Sequence, residues 1–412
     1  MKRRKFITSF GAPVAASVFL PDFADMAIQP GQKVKITDIR VILVKGDTNY
    51  TWPMVKIDTD AGITGIGEAH AGNGVADIIR KDLKPAIIGE NPLDIDRLYN
   101  KMIKATSWTG SIGGTTVTAI SGVEIALWDL AGKILQVPVY QLLGGRYHDS
   151  VRAYWTYGPR FGKEACREFA DRVRAHPWGI TAFKASYFRA GKQENGPLSP
   201  TLTTKDLAAN EEGFGYLREA LGNDYEFSVH CHWEFDWKDS LALARAIAPS
   251  KPWWLEDPMP PDFSDSWVRL TEASPVPILM GENLYTRQGF KPFILQQGCH
   301  IIQPDIPKAG GLLECKKLGD LASLFNIPMC AHCVSSPLGF IASAHCAATV
   351  RDFLGHECHA GWTAGGWDKF VIYDRPIVKD GRIQLSDKPG LGVELNEDYV
   401  RAHLLPGEIW WG

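Results

Sequence analysis

Seven polar residues each close a short apolar run. They are Lys184 in Thr181-Ala-Phe-Lys184, His230 in Glu226-Phe-Ser-Val-His230, Glu256 in Trp253-Trp-Leu-Glu256 and Glu282 in Pro277-Ile-Leu-Met-Gly-Glu282. Asp305 in His300-Ile-Ile-Gln-Pro-Asp305, His332 in Ile327-Pro-Met-Cys-Ala-His332 and Glu357 in Phe353-Leu-Gly-His-Glu357 complete the series. From His230 onward they recur every 23 to 27 residues. Carboxylates from successive segments can hold a divalent cation, and an imidazole beside it can act as a general acid or base. A lone glutamate is usually a solvated loop residue, whereas Glu256 and Glu282, closing two consecutive runs, read as metal ligands. His230, His232 and Glu234 alternate at period two, so an extended chain would turn them to one face.

Such runs need a scaffold that brings their ends together. Helical stretches such as Ser240 to Ala248 and Leu312 to Phe325 lie between them. One polar residue per strand–helix unit, at each strand's carboxyl end, predicts a (β/α) barrel with its site on that face. A doubly wound open sheet would instead concentrate its site at one switch point. The step from Lys184 to His230 is longer, at 46 residues, and contains Gly191 to Pro200, which reads as an inserted polar loop. Ahead of the repeats, Val34 to Val44 and Met54 to Gly62 read as a hairpin. Residues 75 to 145 read as helices, with a break at Gly113-Gly114 and Pro138 closing one of them. These form an α+β domain of ~120 residues.

Composition excludes several classes. With 45% hydrophobic and 22% charged residues, the 412-residue chain buries a sizeable core and is not largely disordered. A net charge of -3 leaves no basic surplus for a nucleic-acid backbone. The eight cysteines, including Cys330-Ala-His-Cys333, lack a second C-x-x-C pair and read as buried free thiols. Lys2-Arg3-Arg4-Lys5 followed by the apolar run Phe10 to Leu20 matches a signal peptide, with adjacent arginines of the twin-arginine type. Residues 1–27 are therefore expected to direct export to the periplasm.

Several longer motifs carry a resemblance. Leu255-Glu256-Asp257-Pro258, Gly281-Glu282-Asn283, Gln303-Pro-Asp305 with Gly310-Gly311, and Pro389-Gly-Leu-Gly-Val393 occur in order. So does Ser121-Gly-Val-Glu-Ile-Ala-Leu-Trp128-Asp-Leu-Ala-Gly132-Lys133, continued by Pro138-Val-Tyr-Gln-Leu142-Leu-Gly-Gly145. With these the chain resembles the enolase superfamily, in its mandelate racemase-like branch and of the acid-sugar dehydratase type. The resemblance implies an α/β fold, a (β/α)7β TIM-like barrel over residues 151–375. An α+β capping domain, 34–150, is completed by the C-terminal segment 376–412. It implies one divalent metal ion, Mg²⁺ in the family, with Glu256 and Glu282 as the second and third of three strand-end ligands. Asp305 and His332 match an Asp–His dyad in which His332 is the base. His232 matches the acid that protonates a leaving hydroxyl, Lys184 stabilises negative charge, and Glu357 hydrogen-bonds the substrate carboxylate.

The chain departs from that pattern twice. His230 stands where the family carries aspartate, which leaves three alternatives: His230 is a ligand, Glu234 takes over, or the site does not hold Mg²⁺. Imidazole suits Mn²⁺ or Zn²⁺ better than the hard Mg²⁺. Lys184-Ala-Ser186 lacks the second lysine of the family's Lys-x-Lys, which disfavours a two-base racemase. The expected function is a metal-dependent hydro-lyase that converts a small-molecule sugar acid to a 2-keto-3-deoxy acid. A homo-oligomer is expected, with no nucleic-acid partner and no membrane association after processing. A cycloisomerase or epimerase using the same half-site is the alternative within enzymes. A non-catalytic sugar-acid-binding protein is the alternative outside them. Substrate choice is expected to rest on Tyr50–Trp52, Ala71–Asn73 and Trp108–Gly114.

Overall fold

The structure, a computed structural model, describes residues 33–46, 50–109, 112–190, 201–359 and 366–411. The expected export signal and the expected loop Gly191 to Pro200 lie outside them. Three antiparallel strands open the described chain: β1 (Ile36–Lys45), β2 (Thr51–Thr59) and β3 (Thr64–Glu68). The third strand, Thr64-Gly-Ile-Gly-Glu68, is too short and glycine-rich to read as one in the sequence. Its glycines are there for contact, since a Cβ on Gly65 would stand 2.2 Å from the Ala126 carbonyl oxygen. Ala126 belongs to the helix Gly114–Leu135, which is buried along almost its whole length against this sheet. That helix ends where Gln136 turns left-handed, at φ 57°, just before Pro138.

Eight parallel strands follow and close on themselves. They are β4 (Ser150–Thr156), β5 (Ala182–Ser186), β6 (Glu226–His230), β7 (Leu255–Glu256), β8 (Ile278–Met280), β9 (Ile301–Ile302), β10 (Met329–Ala331) and β11 (Phe353–Cys358). Each pairs with its successor, and β11 pairs back with β4 through His356–Ala153 and Glu357–Tyr154. Val229, Leu255, Ile278 and Leu279 are wholly buried, as expected for parallel strands covered on both faces. The segment Arg382–Gln384 adds antiparallel to the start of β4, and further on Leu405 N–H donates to the Leu43 carbonyl of β1 at 2.9 Å.

Carboxylates of the first domain fasten it to the barrel at the start of two helices. Glu124 accepts from the backbone N–H groups of Leu312 (2.8 Å) and Leu313 (3.0 Å), at the start of the helix Gly311–Ser323. Gly311, at φ +86°, makes room for it, because a Cβ there would meet Glu124 Oε2 at 2.1 Å. Glu68, at the end of β3, likewise accepts from Ser336 N–H (2.8 Å) and Gly339 N–H (3.2 Å), at the start of the helix Pro337–Ala347. Burial pushes the Glu124 carboxyl up from 4.5 to about 7, against the backbone hydrogen bonds that favour its charge. The folded chain then binds more protons than the unfolded chain between those values. This contribution to stability therefore falls as pH rises through that window and is level above it. Glu124→Gln removes the titration, at a scale of about 3 kcal/mol at most. The melting temperature of the variant relative to wild type is expected to rise between about pH 5 and about pH 8. A difference that stays constant would mean the carboxyl titrates as it does in water.

Candidate active site

Strand register sets the site. Ser186 of β5 lies beside His230 of β6, His230 beside Glu256 of β7, and Asp305 bridges to His332 just beyond β9 and β10. The carboxyl ends of the strands thus bring the seven run-closing residues to one mouth of the barrel. Lys184 sits among the glutamates, with Nζ 2.8 Å from Glu256 Oε1, 2.7 Å from Glu357 Oε1 and 3.9 Å from Glu282 Oε2. Burial alone would strip its proton, but the three carboxylates outweigh burial and hold the ammonium charged. Glu256 spends its other oxygen on Trp254 Nε1 (3.1 Å) and Gln303 Nε2 (3.3 Å). Although burial raises it, Lys184 and His230 hold that carboxyl below the usual range.

The dyad is formed. His332 Nδ1 lies 2.6 Å from Asp305 Oδ2, and Asp305 is fully buried. The ionised carboxylate accepts, so Nδ1 carries the hydrogen and Nε2 is the free position. Nε2 is 3.6 Å from Glu282 Oε2 and 3.8 Å from Glu357 Oε2. Burial would lower the His332 imidazole, but the uncompensated charges of Glu357, Glu282 and Asp305 outweigh it and push it up to about 9; a cation held by Glu282 would offset that charge and leave Nε2 able to accept a proton. Asp305 is held low by His70 and His332 in spite of its burial.

The segment after β6 corrects the alternation read from the sequence. The strand stops at His230, and His232 and Trp233 both adopt left-handed backbone, at φ 54° and 68°. His232 is turned so that Nε2 stands 3.3 Å from Glu282 Oε1, and its ring stacks on Trp233. Burial pushes the His232 imidazole down, and Glu282 opposes that. Glu234 faces elsewhere: it pairs with Arg189 at 2.7 Å and accepts from the Tyr187 hydroxyl. It is therefore not a substitute ligand for His230.

The donor set fits a cation. His230 Nδ1 stands 3.0 Å from Glu256 Oε1, and Glu282 Oε2 is buried without a hydrogen bond. Among the described residues, donor atoms of His230, His232 and Glu282 lie within 4.8 Å of one another, as do those of His70, Asp305 and His332. Imidazole with carboxylate is a borderline-ion set rather than an all-oxygen one. Of these residues, His70 escaped sequence reasoning. It follows β3 in Gly67-Glu-Ala-His70, and no motif marks it. Asp257, part of the motif Leu255–Pro258 but given no role there, is wholly buried at φ 42° and accepts from Gly281 N–H at 3.1 Å. Burial, then Glu282 and Glu256, push its carboxyl well up. All eight cysteines are buried and free. A cavity of about 580 Å³ opens beside Tyr50, Ala71, Asn73 and Arg80. Trp108 is exposed.

Comparison with known proteins meets this geometry from outside. The family model described as "Enolase C-terminal domain-like" matches residues 165–399. The model for the mandelate racemase / muconate lactonizing enzyme N-terminal domain matches residues 41–144. A D-xylonate dehydratase of Haloferax volcanii is 39% identical over 376 residues, covering 91% of this chain and 90% of its own. A D-galactonate dehydratase of Pectobacterium atrosepticum is 31% identical, covering 85% of this chain and 90% of its own. Among solved structures, a mandelate racemase/muconate lactonizing enzyme-like protein from Rubrobacter xylanophilus superposes with a TM-score of 0.84. It is 32% identical and covers 92% of this chain and 100% of its own.

Proposed function

Because the chain belongs to the enolase superfamily, in its mandelate racemase-like branch and of the acid-sugar dehydratase type, we propose that it removes water from a sugar acid to give a 2-keto-3-deoxy acid. It is a hydro-lyase of that superfamily. The observation that carries the mechanism is the dyad, His332 Nδ1 at 2.6 Å from a fully buried Asp305, with Nε2 facing the strand-end cluster. His332 Nε2 takes the proton from C2, and Asp305 fixes the tautomer and the ring. Lys184, held as an ammonium, stabilises the negative charge that develops and orients the substrate carboxylate, which Glu357 can hydrogen-bond only in its protonated form. His232, the most exposed of the group, is placed to protonate the 3-hydroxyl as it leaves; since its imidazole is held low in the free site, that role requires it to take up a proton when the acid binds. The resulting enol tautomerises to the 2-keto acid. When bound, a divalent ion held by His230, Glu256 and Glu282 supplies further positive charge for the enediolate. Position 186, two residues from Lys184 on the same strand face, is serine, so no second base stands there for racemisation.

The purified protein, screened against aldonic and uronic acids for 2-keto acid formation, is expected to turn over at least one aldonic acid. Binding of such an acid with no product would favour the non-catalytic binder. Residues 1 to ~27 are proposed to export the protein to the periplasm. A truncation starting at Gln29 is expected to be soluble and equally active. Insoluble or inactive protein from it would count against a removable signal.

A further inference from the structure

His70, on the turn after β3, and Asp305, beyond β9, present acceptors to one another. His70 Nδ1 meets the Ala71 carbonyl at 2.7 Å, and a carbonyl only accepts, so that nitrogen carries the ring's hydrogen. In the neutral imidazole, which burial favours, Nε2 is then a bare lone pair. It stands 3.6 Å from Asp305 Oδ2, a second acceptor. The other carboxylate oxygen, Oδ1, is buried without a hydrogen bond. On the far side of the carboxylate His332 Nδ1 lies 2.6 Å from Oδ2, and the rings of His70 and His332 are 6.3 Å apart, centre to centre. Two lone pairs turned on one another across 3.6 Å lack a positive centre between them. Zinc held tetrahedrally at ~2.0–2.2 Å by nitrogen and oxygen sets two donors roughly 3.4 Å apart. The His70–Asp305 separation is close to that, and donor atoms of His70, Asp305 and His332 all lie within 4.8 Å of one another.

We propose that His70, Asp305 and His332 form a second metal site, one that takes Zn²⁺ and inhibits the enzyme. His70 Nε2, an Asp305 oxygen and His332 Nδ1 are its ligands. Two imidazoles and one carboxylate make an open zinc set, with a fourth position left to water. The site is distinct from the one formed by His230, Glu256 and Glu282. The His70 side chain keeps 14% of its surface exposed, so an ion reaches it from solvent. Zinc on His332 Nδ1 displaces the hydrogen there, and the neutral ring carries that hydrogen on Nε2 instead. Nε2 then donates and has no lone pair for a C2 proton. Binding stands independently of the reaction, whereas inhibition rests on His332 being the base.

Two measurements on the full-length protein test the two halves. Dialysed to equilibrium against Zn²⁺, His70→Phe is expected to hold one zinc per chain fewer than wild type. The phenyl ring fills the space and supplies no ligand; if that variant fails to fold, His70→Ala gives the same count. Equal zinc content in wild type and a folded His70 variant overturns the site. In the Mn²⁺-loaded enzyme, added Zn²⁺ is expected to inhibit wild type. The half-inhibiting concentration should rise roughly tenfold or more in His70→Phe, each form measured against its own zinc-free rate, since a lost ligand costs at least as much as a lost outer contact. Equal inhibition of both forms places the effect at the His230 set and overturns the inhibitory role. His332→Ala, assayed alongside, is expected to lose the same zinc and to be inactive. A second zinc that leaves wild-type turnover untouched, beside an inactive His332→Ala, sinks the inhibition alone. An active His332→Ala sinks the base and the inhibition together, while the zinc count still decides the site.

Discussion

Replacing His332 with alanine is expected to lower turnover of the accepted sugar acid by ~10²–10⁴-fold, the usual contribution of one general base. Substrate binding should survive, because Lys184 and its glutamates keep their mutual contacts without His332. Asp305→Asn is expected to lose a comparable factor, since an amide can donate to Nδ1 and stabilise the wrong tautomer. The next candidate bases, Lys184 and Tyr187, are already engaged. Lys184 is held as an ammonium by three glutamates, and the Tyr187 hydroxyl is committed to Glu234 and Arg189. Steady-state kcat with calorimetric binding of the same acid checks both variants. Wild-type turnover in His332→Ala would move the base elsewhere.

The second large effect concerns metal choice. The expected ligands His230, Glu256 and Glu282 carry two negative charges, and Lys184 already engages Glu256 at 2.8 Å. Such a site is expected to hold Mg²⁺ weakly and to favour Mn²⁺ or Zn²⁺. His230→Asp adds a hard oxygen donor and a charge, and is expected to raise Mg²⁺ affinity by roughly tenfold or more. Metal content after dialysis, with titrations of Mg²⁺, Mn²⁺ and Zn²⁺ into both forms, reads this directly. If wild type takes up Mg²⁺ as tightly as His230→Asp, His230 is not a ligand.

Much of this architecture is legible in the sequence because barrel strands are short, buried on both faces and end where chemistry is done. Seven of the eight strands announced themselves through a charged or imidazole residue at the carboxyl end. The eighth, β4, ends in Thr156, whose hydroxyl donates to Glu357, and a threonine closing a strand carries no such signal. The helix motif from Ser121 to Lys133 is legible as family pattern, but its work is packing: Ser121 and Glu124 accept from the barrel segment Gly310–Leu313, and within the capping domain Asp129 accepts from Ile66 and Leu391. Period-two reasoning failed at His232 because alternation holds only while the backbone is extended, and the left-handed pair His232–Trp233 ends that. His70 was silent because the group it faces, Asp305, is 235 positions away in another domain.

The most direct test follows the C2 hydrogen of an accepted sugar acid by NMR in D₂O, for wild type and His332→Ala together. Wild type is expected to lose the C2 signal as a 2-keto-3-deoxy acid with deuterium at C3 accumulates, and His332→Ala to do neither while still binding the acid. Binding by wild type with the C2 hydrogen retained and no keto acid formed would contradict a dehydratase built on this dyad.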